Sequence, residues 1–329
     1  MPYEKNHLTY QEQLDLIKSR GLAIRDEEVC LKALRTLGYY RISAYWYPFR
    51  IRGHDHQEGL DVPDDTIFPG YYLDDIIEIY RFDRNVKALL WEAIDEVEIA
   101  LRVSIAYLMG KYDRFAFLHT AFLSPDCMKP SKFDPSRTNY QEFRERLDRQ
   151  ILGSGEDFAK HFRTKYNAAA PVWVAIELWD FGTLARFYQL MLPEDRHTIA
   201  QEYGLPGSRI LGGWIQALNL IRNICAHHGR LNRRHLPDSP RFPRTHGDER
   251  YSHISRLSDR DKHRLYPVLC VLITLMKQID PQTGWGNRVV ETFRSMPDIH
   301  GLTLTDYGVP DRWSEEEIWQ GSALLASKT

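Results

Sequence analysis

Apolar residues recur at three- and four-residue steps through most long segments of this chain, and that period predicts helices. The clearest case is WIQALNLIRNICAHHGRLN, residues 214–232. Leu211, Trp214, Leu218, Ile221 and Cys225 keep helical step there, and Gly229 follows the last of them, where helices commonly end. The longest such pattern covers residues 73–109. Its buried stripe is Ile76, Ile77, Tyr80, Val86, Leu90, Ile94, Val97, Leu101 and Leu108, with Gly110 as the stop. A rod of about 36 residues would run roughly 54 Å at 1.5 Å per residue.

Shorter elements follow from caps and breakers. Thr9-Tyr10-Gln11-Glu12 is a capping box that opens a helix running to Arg20. Asp26 opens a second helix that closes at Gly38. Further helices are expected over 140–152, 156–166, 171–191 with a break near Gly182, 259–279 and 287–296. Residues 52–69 and 124–137 read as polar connections. Residues 301–329 carry few large apolar side chains before Trp313 and read as a loosely docked extension. No segment alternates with the period of a strand, so the expected class is all-α. The expected organisation is an N-terminal helical cap over 1–70, a helical core over 71–298 and an extension over 299–329.

Composition narrows the partners. The net charge is −2, so any contact with a polyanion must come from local patches. The four cysteines, Cys30, Cys127, Cys225 and Cys270, lie far apart and form no CxxC pair, which argues against a zinc site and a disulfide scaffold and fits a reducing cytoplasm. His54 and His56 bracket Asp55 but lack a third ligand at fixed spacing, so no metal or cofactor is expected. The N-terminus has no apolar signal region. The longest apolar run, 265–276, has about twelve residues, too few to cross a bilayer.

Candidate chemistry sits on the 214–232 helix. Asn219, Asn223 and His227 are four apart and share one stripe. Arg222 lies about 140° around from His227, within reach of the same pocket mouth. An arginine offers a fixed fork for phosphate oxygens, and a histidine moves protons near neutral pH. The competing reading is a solvated polar face that satisfies neighbours. His228 is a second proton carrier, pointing about 100° from His227. Glu98 and Arg102 form an i,i+4 pair: either a surface salt bridge or, facing the 214–232 helix, a support for Arg222 or His227.

Two further stretches bear on nucleic acid. Residues 229–250 carry Arg230, Arg233, Arg234, Arg241, Arg244 and Arg250, able to hold a phosphate backbone or to pair with Asp238, Asp248 and Glu249. In 38–48, four tyrosines and a tryptophan surround Arg41. Aromatics such as Tyr40 can stack on bases, or the group can form a packing layer.

Several stretches together resemble the bacterial abortive-infection Abi-like family (the AbiD/AbiF group), whose members carry a HEPN-type helical core. They are Arg20-Gly21-Leu22 with Leu37-Gly38-Tyr39-Tyr40-Arg41, then Pro171-Val172-Trp173 followed by Glu177, Phe181-Gly182, Leu184 and Tyr188. Last comes Arg222-Asn223-Ile224-Cys225-Ala226-His227-His228, with Arg230-Leu231-Asn232 close behind. Its first six residues, Arg222 to His227, are similar to the Arg-x4-6-His signature of HEPN ribonucleases. The likeness covers roughly residues 8–296. It implies a HEPN-like bundle with Arg222, Asn223 and His227 catalytic, metal-independent RNA cleavage in anti-phage defence, and a homodimer in which two Arg–His motifs meet. RNA is the implied partner, as substrate or as a bound small non-coding RNA. A protein that binds RNA without cutting it, and a structural component of a defence complex, stand as alternatives.

Overall fold

A computed structural model describes residues 6–55, 60–132, 134–165, 170–243 and 250–320. The chain opens with α1 (Tyr10–Ser19), α2 (Glu27–Leu37) and α3 (Tyr39–Trp46), then an antiparallel hairpin of β1 (Arg50–Asp55) and β2 (Leu60–Ile67). The forty-residue α4 (Leu73–Tyr112) follows. After it come α5 (Asn139–Gly153), α6 (Asp157–Lys165), α7 (Val172–Ala175), α8 (Phe181–Leu190), α9 (Pro193–Glu202) and α10 (Ser208–Ala226). The chain continues with α11 (Ser252–Ser255), α12 (Asp259–Lys262), α13 (Tyr266–Ile279) and α14 (Trp285–Arg294). The class is all-α, with that one hairpin as its only sheet among the described residues.

The core is built around α4. Its buried stripe from Val86 to Met109 meets α13, which is buried at every position from Tyr266 to Met276, and the apolar face of α10. A helix buried all round belongs at the centre of a core, which is where α13 lies. The start of α4 does something else. Leu73, Ile76, Ile77 and Ile79 close a second apolar cluster with Leu14, Ile17, Cys30, Leu34, Ile42, Tyr45 and Trp46 of the cap, joined by Ile299 and Leu302. One continuous helix therefore serves both clusters, and the chain after α14 returns to the cap.

Caps form as their sequences dictate. The Thr9 hydroxyl accepts from the Glu12 amide at 3.2 Å, and the Thr9 amide donates to the Glu12 carboxylate at 2.7 Å. Asp26 accepts from the Val29 amide at 3.0 Å. Gly38 ends α2 with φ +82°, a conformation that glycine reaches at little cost, and α3 begins at the next residue.

Four expectations need correction. Residues 52–69 are not a loop: 50–55 pairs with 60–67, with Arg52 opposite Pro63 and a bulge between Arg50 and Arg52. Gly53, Pro63 and the bulge erase the alternation that would have marked strands. Helix α4 does not stop at Gly110 but runs through it to Tyr112, with the Trp173 ring packed beside the glycine. A Cβ there would lie 3.5 Å from that ring. The break in 171–191 falls at Trp179, whose extended backbone lets Asp180 cap α8 through the Thr183 amide, and not at Gly182.

The extension is not loosely docked over its described part. Tyr307, Val309, Trp313, Ile318 and Trp319 are all buried, spaced by short 3-10 turns that aim each large side chain inward. Trp319 Nε1 donates to the Tyr266 hydroxyl at 3.1 Å, and Lys277 Nζ to the Ile318 carbonyl at 2.8 Å. Few apolar residues suffice because each covers a wide area. Residues 321–329 lie outside the described part. Trp313→Ala should lower unfolding free energy by about 3–5 kcal/mol in urea denaturation, the cost of emptying a core aromatic site; a loss under about 1 kcal/mol would mean the extension packs only weakly.

Candidate functional site

The site is the C-terminal end of α10 and the turn that follows. Leu211, Trp214, Ile215, Leu218, Ile221, Ile224 and Cys225 bury one side of the helix. Asn219, Asn223 and His227 follow along the other, the first half-buried and the other two exposed. The helix closes in a Schellman motif: the Gly229 amide donates to the Ile224 carbonyl at 2.7 Å, and the His228 amide to the Cys225 carbonyl at 3.0 Å. His228 occupies the left-handed position of that motif, with φ +55°, where glycine is usual. The glycine foreseen as the stop stands one residue later and serves another need. A Cβ at Gly229 would lie 3.1 Å from Ile224 Cγ2 and 3.3 Å from the Ile224 carbonyl oxygen.

The turn is clamped from beneath. The Asp83 carboxylate, fully buried on α4, accepts from the Asn232 amide at 2.9 Å and the Leu231 amide at 3.2 Å. The Tyr45 hydroxyl donates to it at 2.7 Å and the Tyr307 hydroxyl at 3.2 Å. Lys87, one turn along α4, lies 3.3 Å from Asp83 and donates to the Gly229 carbonyl at 3.1 Å. Burial first, and the Asp83 charge second, hold both phenols well above the ordinary tyrosine range. From the cap, Arg41 donates to the His228 carbonyl at 3.0 Å.

Arg222 leans away from this turn. Its guanidinium lies 5.4 Å from the centre of the Trp91 ring on α4, in cation–π geometry. Behind it stands Glu98, buried and bonded to Arg102. Burial raises the Glu98 carboxyl above its ordinary value, against the opposing pull of Arg102 and Arg222. Arg102 in turn donates to the Trp179 carbonyl at 2.7 Å and lies 3.5 Å from Glu177. The Glu98–Arg102 pair is thus tied to the segment between α7 and α8, with Arg222 near enough to act on the Glu98 charge. No hydrogen bond joins Arg222 to His227 or Asn223 among the described residues.

The basic segment after α10 departs from the expectation of free RNA-binding arginines. Arg230 donates to the Ala44 carbonyl and lies over Tyr45, and burial lowers its guanidinium from the ordinary value. Arg233 holds Asp306 at 2.6 Å and the Gly301 carbonyl at 2.6 Å. Both arginines are struts between the turn, the cap and the extension, because buried carbonyls and a buried carboxylate need donors more than the solvent does. Arg234 remains exposed, with a long bond of 3.5 Å to the Arg230 carbonyl. Arg244, Asp248 and Glu249 lie outside the described residues. In the aromatic stretch the helical period sorts the two readings: Ile42, Tyr45 and Trp46 pack inward, while Tyr40 and Arg41 face out.

Sequence reasoning missed Asp83, Lys87 and Trp91. The signal was present, since Asp83 and Lys87 stand four apart inside the otherwise apolar stripe of α4. A charge in a buried stripe marks a site that supplies its partners. Trp91 had no such mark. Among the described residues, no helix is long and apolar enough to cross a membrane, and no cluster of three or more His, Cys, Asp or Glu is placed to hold a metal ion.

Comparison with protein families gives one match, to Abi-like protein over residues 32–232. That span covers the cap from the middle of α2 onward, all of α4, and α10 through the Asp83-clamped turn. It exceeds half of the chain, and the protein belongs to the Abi-like family. Comparison with curated proteins returns no match, and neither does comparison with solved structures.

Two neighbouring substitutions should act with opposite sign. His228→Gly should raise unfolding free energy by about 0.5–1 kcal/mol by removing a left-handed side chain. Gly229→Ala should lower it by about 1–3 kcal/mol through the crowding against Ile224. Urea midpoints read both, and a destabilising His228→Gly would contradict the assignment of strain to that residue.

Proposed function

We propose that this chain is a HEPN-type endoribonuclease of abortive-infection defence, cutting RNA without a metal ion. The observation that carries the reading is the end of α10: an exposed histidine at a helix terminus followed by a clamped turn, five positions after an arginine that lies over the Trp91 ring within electrostatic range of the buried Glu98 carboxylate.

In this reading the ribose 2′-oxygen attacks the adjacent phosphorus. The 2′-O–P bond forms and the P–O5′ bond breaks, leaving a 2′,3′-cyclic phosphate and a 5′-hydroxyl. His227 takes the 2′-hydroxyl proton or delivers one to the 5′-oxygen. Arg222 stabilises the charge that develops on the non-bridging oxygens. Asn223, one helical turn before His227, orients the imidazole or a phosphate oxygen. Glu98 and Trp91 position Arg222, and Arg102 positions Glu98.

Two proton transfers on opposite sides of phosphorus call for two groups. A two-fold dimer supplies a second His227 across one cleft. The face of α4 that continues from Trp91 fits that partner, a second copy of this chain. Ile99, Val103 and Tyr107 lie exposed on successive turns, next to the exposed Trp173. A row of large apolar side chains beside a polar site is the usual mark of an interface.

A second reading is RNA binding without turnover. It is favoured by the separation of Arg222 from His227, which leaves the two groups in different immediate surroundings.

Incubation of a structured RNA with the protein in EDTA decides between them. Wild type should cleave and leave 2′,3′-cyclic phosphate ends, while Arg222→Ala and His227→Ala should each lose at least about a hundredfold in rate. Undiminished cleavage by both variants, or binding by wild type with no cleavage, would remove the nuclease assignment.

A further inference from the structure

A cleft of about 730 Å³ opens in the cap between α1, α2, α3 and the hairpin, within the size range of small-ligand sites. Four arginines line it: Arg20, Arg35, Arg41 and Arg50. Asp65 is the one carboxylate among the lining residues, and it serves two of the four, at 2.8 Å from Arg20 and 3.3 Å from Arg50. The other two, both exposed, are matched to no carboxylate among the described residues. Arg35 lies over the Tyr10 ring at 6.0 Å, and Arg41 spends one nitrogen on the His228 carbonyl. The cleft therefore holds a surplus of positive charge in a protein whose net charge is −2.

Its floor and mouth are of another kind. Leucines such as Leu16 and Leu34 supply an apolar floor. Tyr40 stands at the mouth 73% exposed, its ring edge-on to Tyr39 at 6.0 Å. An exposed aromatic ring beside guanidinium forks, over an apolar floor, matches a nucleotide strand in which bases stack while phosphates pair. Arg41 lines this cleft and also touches the carbonyl of His228, so the cleft begins beside the end of α10.

We propose that this cap cleft binds a short segment of single-stranded RNA flanking the cleaved phosphate, with a base stacked on Tyr40 and phosphates on Arg35 and Arg41. The place beside the cleaved phosphate rests on the nuclease reading, and the binding rests on the cleft alone. A single strand is favoured over a duplex because stacking on Tyr40 requires a base free of its neighbours.

The test uses the full chain carrying His227→Ala, so that binding is read apart from cutting. The probe is a fluorescein-labelled oligouridine of about twelve nucleotides, and the readout is anisotropy over a salt series. Tyr40→Ala and Arg35→Ala should each weaken binding about tenfold, with Tyr40→Phe close to the parent. Arg35→Ala should also lower the slope of log affinity against log salt by about 0.7. Both side chains are exposed, so the variants fold. Parental affinity in both alanine variants would overturn the proposal, as would equal binding of an RNA duplex of the same length. If these variants lose binding while Arg222→Ala and His227→Ala in the otherwise wild-type chain cut as before, the cleft stands and the nuclease assignment falls. If cutting depends on those two residues and the cleft variants bind as the parent does, the reverse holds.

Discussion

One buried carboxylate ties together the parts of this protein that are farthest apart in sequence. Asp83 on α4 receives two backbone amides from the turn after α10, a phenol from α3 and a phenol from the extension, with the Lys87 ammonium alongside. A charge removed from water is tolerated only when donors surround it, and a missing donor costs more than a surplus contact contributes. Cap, core and extension are thereby made conditional on one another. The two apolar clusters could each form from local patterning, but nothing apolar specifies how the 229–232 turn sits on α4. Asp83 does, because amides have direction and methyl groups do not.

The consequences reach the end of α10. With Leu231 and Asn232 pinned below and the Gly229 carbonyl held by Lys87, the chain has little room to leave the helix. It turns at His228 in a left-handed conformation that a histidine adopts at a cost, and a side chain at Gly229 would crowd Ile224. The arginines that follow are drawn into the same construction, Arg230 toward the cap and Arg233 toward Asp306. Their charge is spent on architecture, while Arg41, Arg35 and Arg234 are among the cations that face solvent. His227 is thus an exposed group on a rigid mount, while Arg222 belongs to a second constellation with Trp91 and Glu98. In the proposed chemistry these two constellations act on one phosphate.

Much of this was legible in the residues. The periodicity placed α4 and α10, the capping box placed α1, and the Glu98–Arg102 pair was seen to have a possible target on the facing helix. The failures share a cause: each turned on a partner that local pattern does not reveal. The hairpin was hidden because pairing, not propensity, holds Gly53 and Pro63 in strands. Gly110 looked like a stop yet lies inside α4 beside the Trp173 ring, and Gly229 stands one residue past the left-handed turn, close against Ile224. The extension looked sparse because burial depends on where Trp313 and Trp319 land and not on how many apolar neighbours they have in the chain. The arginines after α10 looked free because the acceptors that take two of them, the Ala44 carbonyl and Asp306, lie 186 and 73 residues away.

The claim that Asp83 fixes the turn is tested most directly by amide hydrogen exchange at Leu231 and Asn232 in wild type and Asp83→Asn. An amide side chain keeps the shape and one acceptor oxygen but loses the charge and turns the other acceptor into a donor. Both amides should be well protected in wild type and exchange at least about tenfold faster in the variant, with the amides in the middle of α13 still protected. Unchanged protection at Leu231 and Asn232, in a variant that remains folded, would show that the turn is held by something other than this carboxylate.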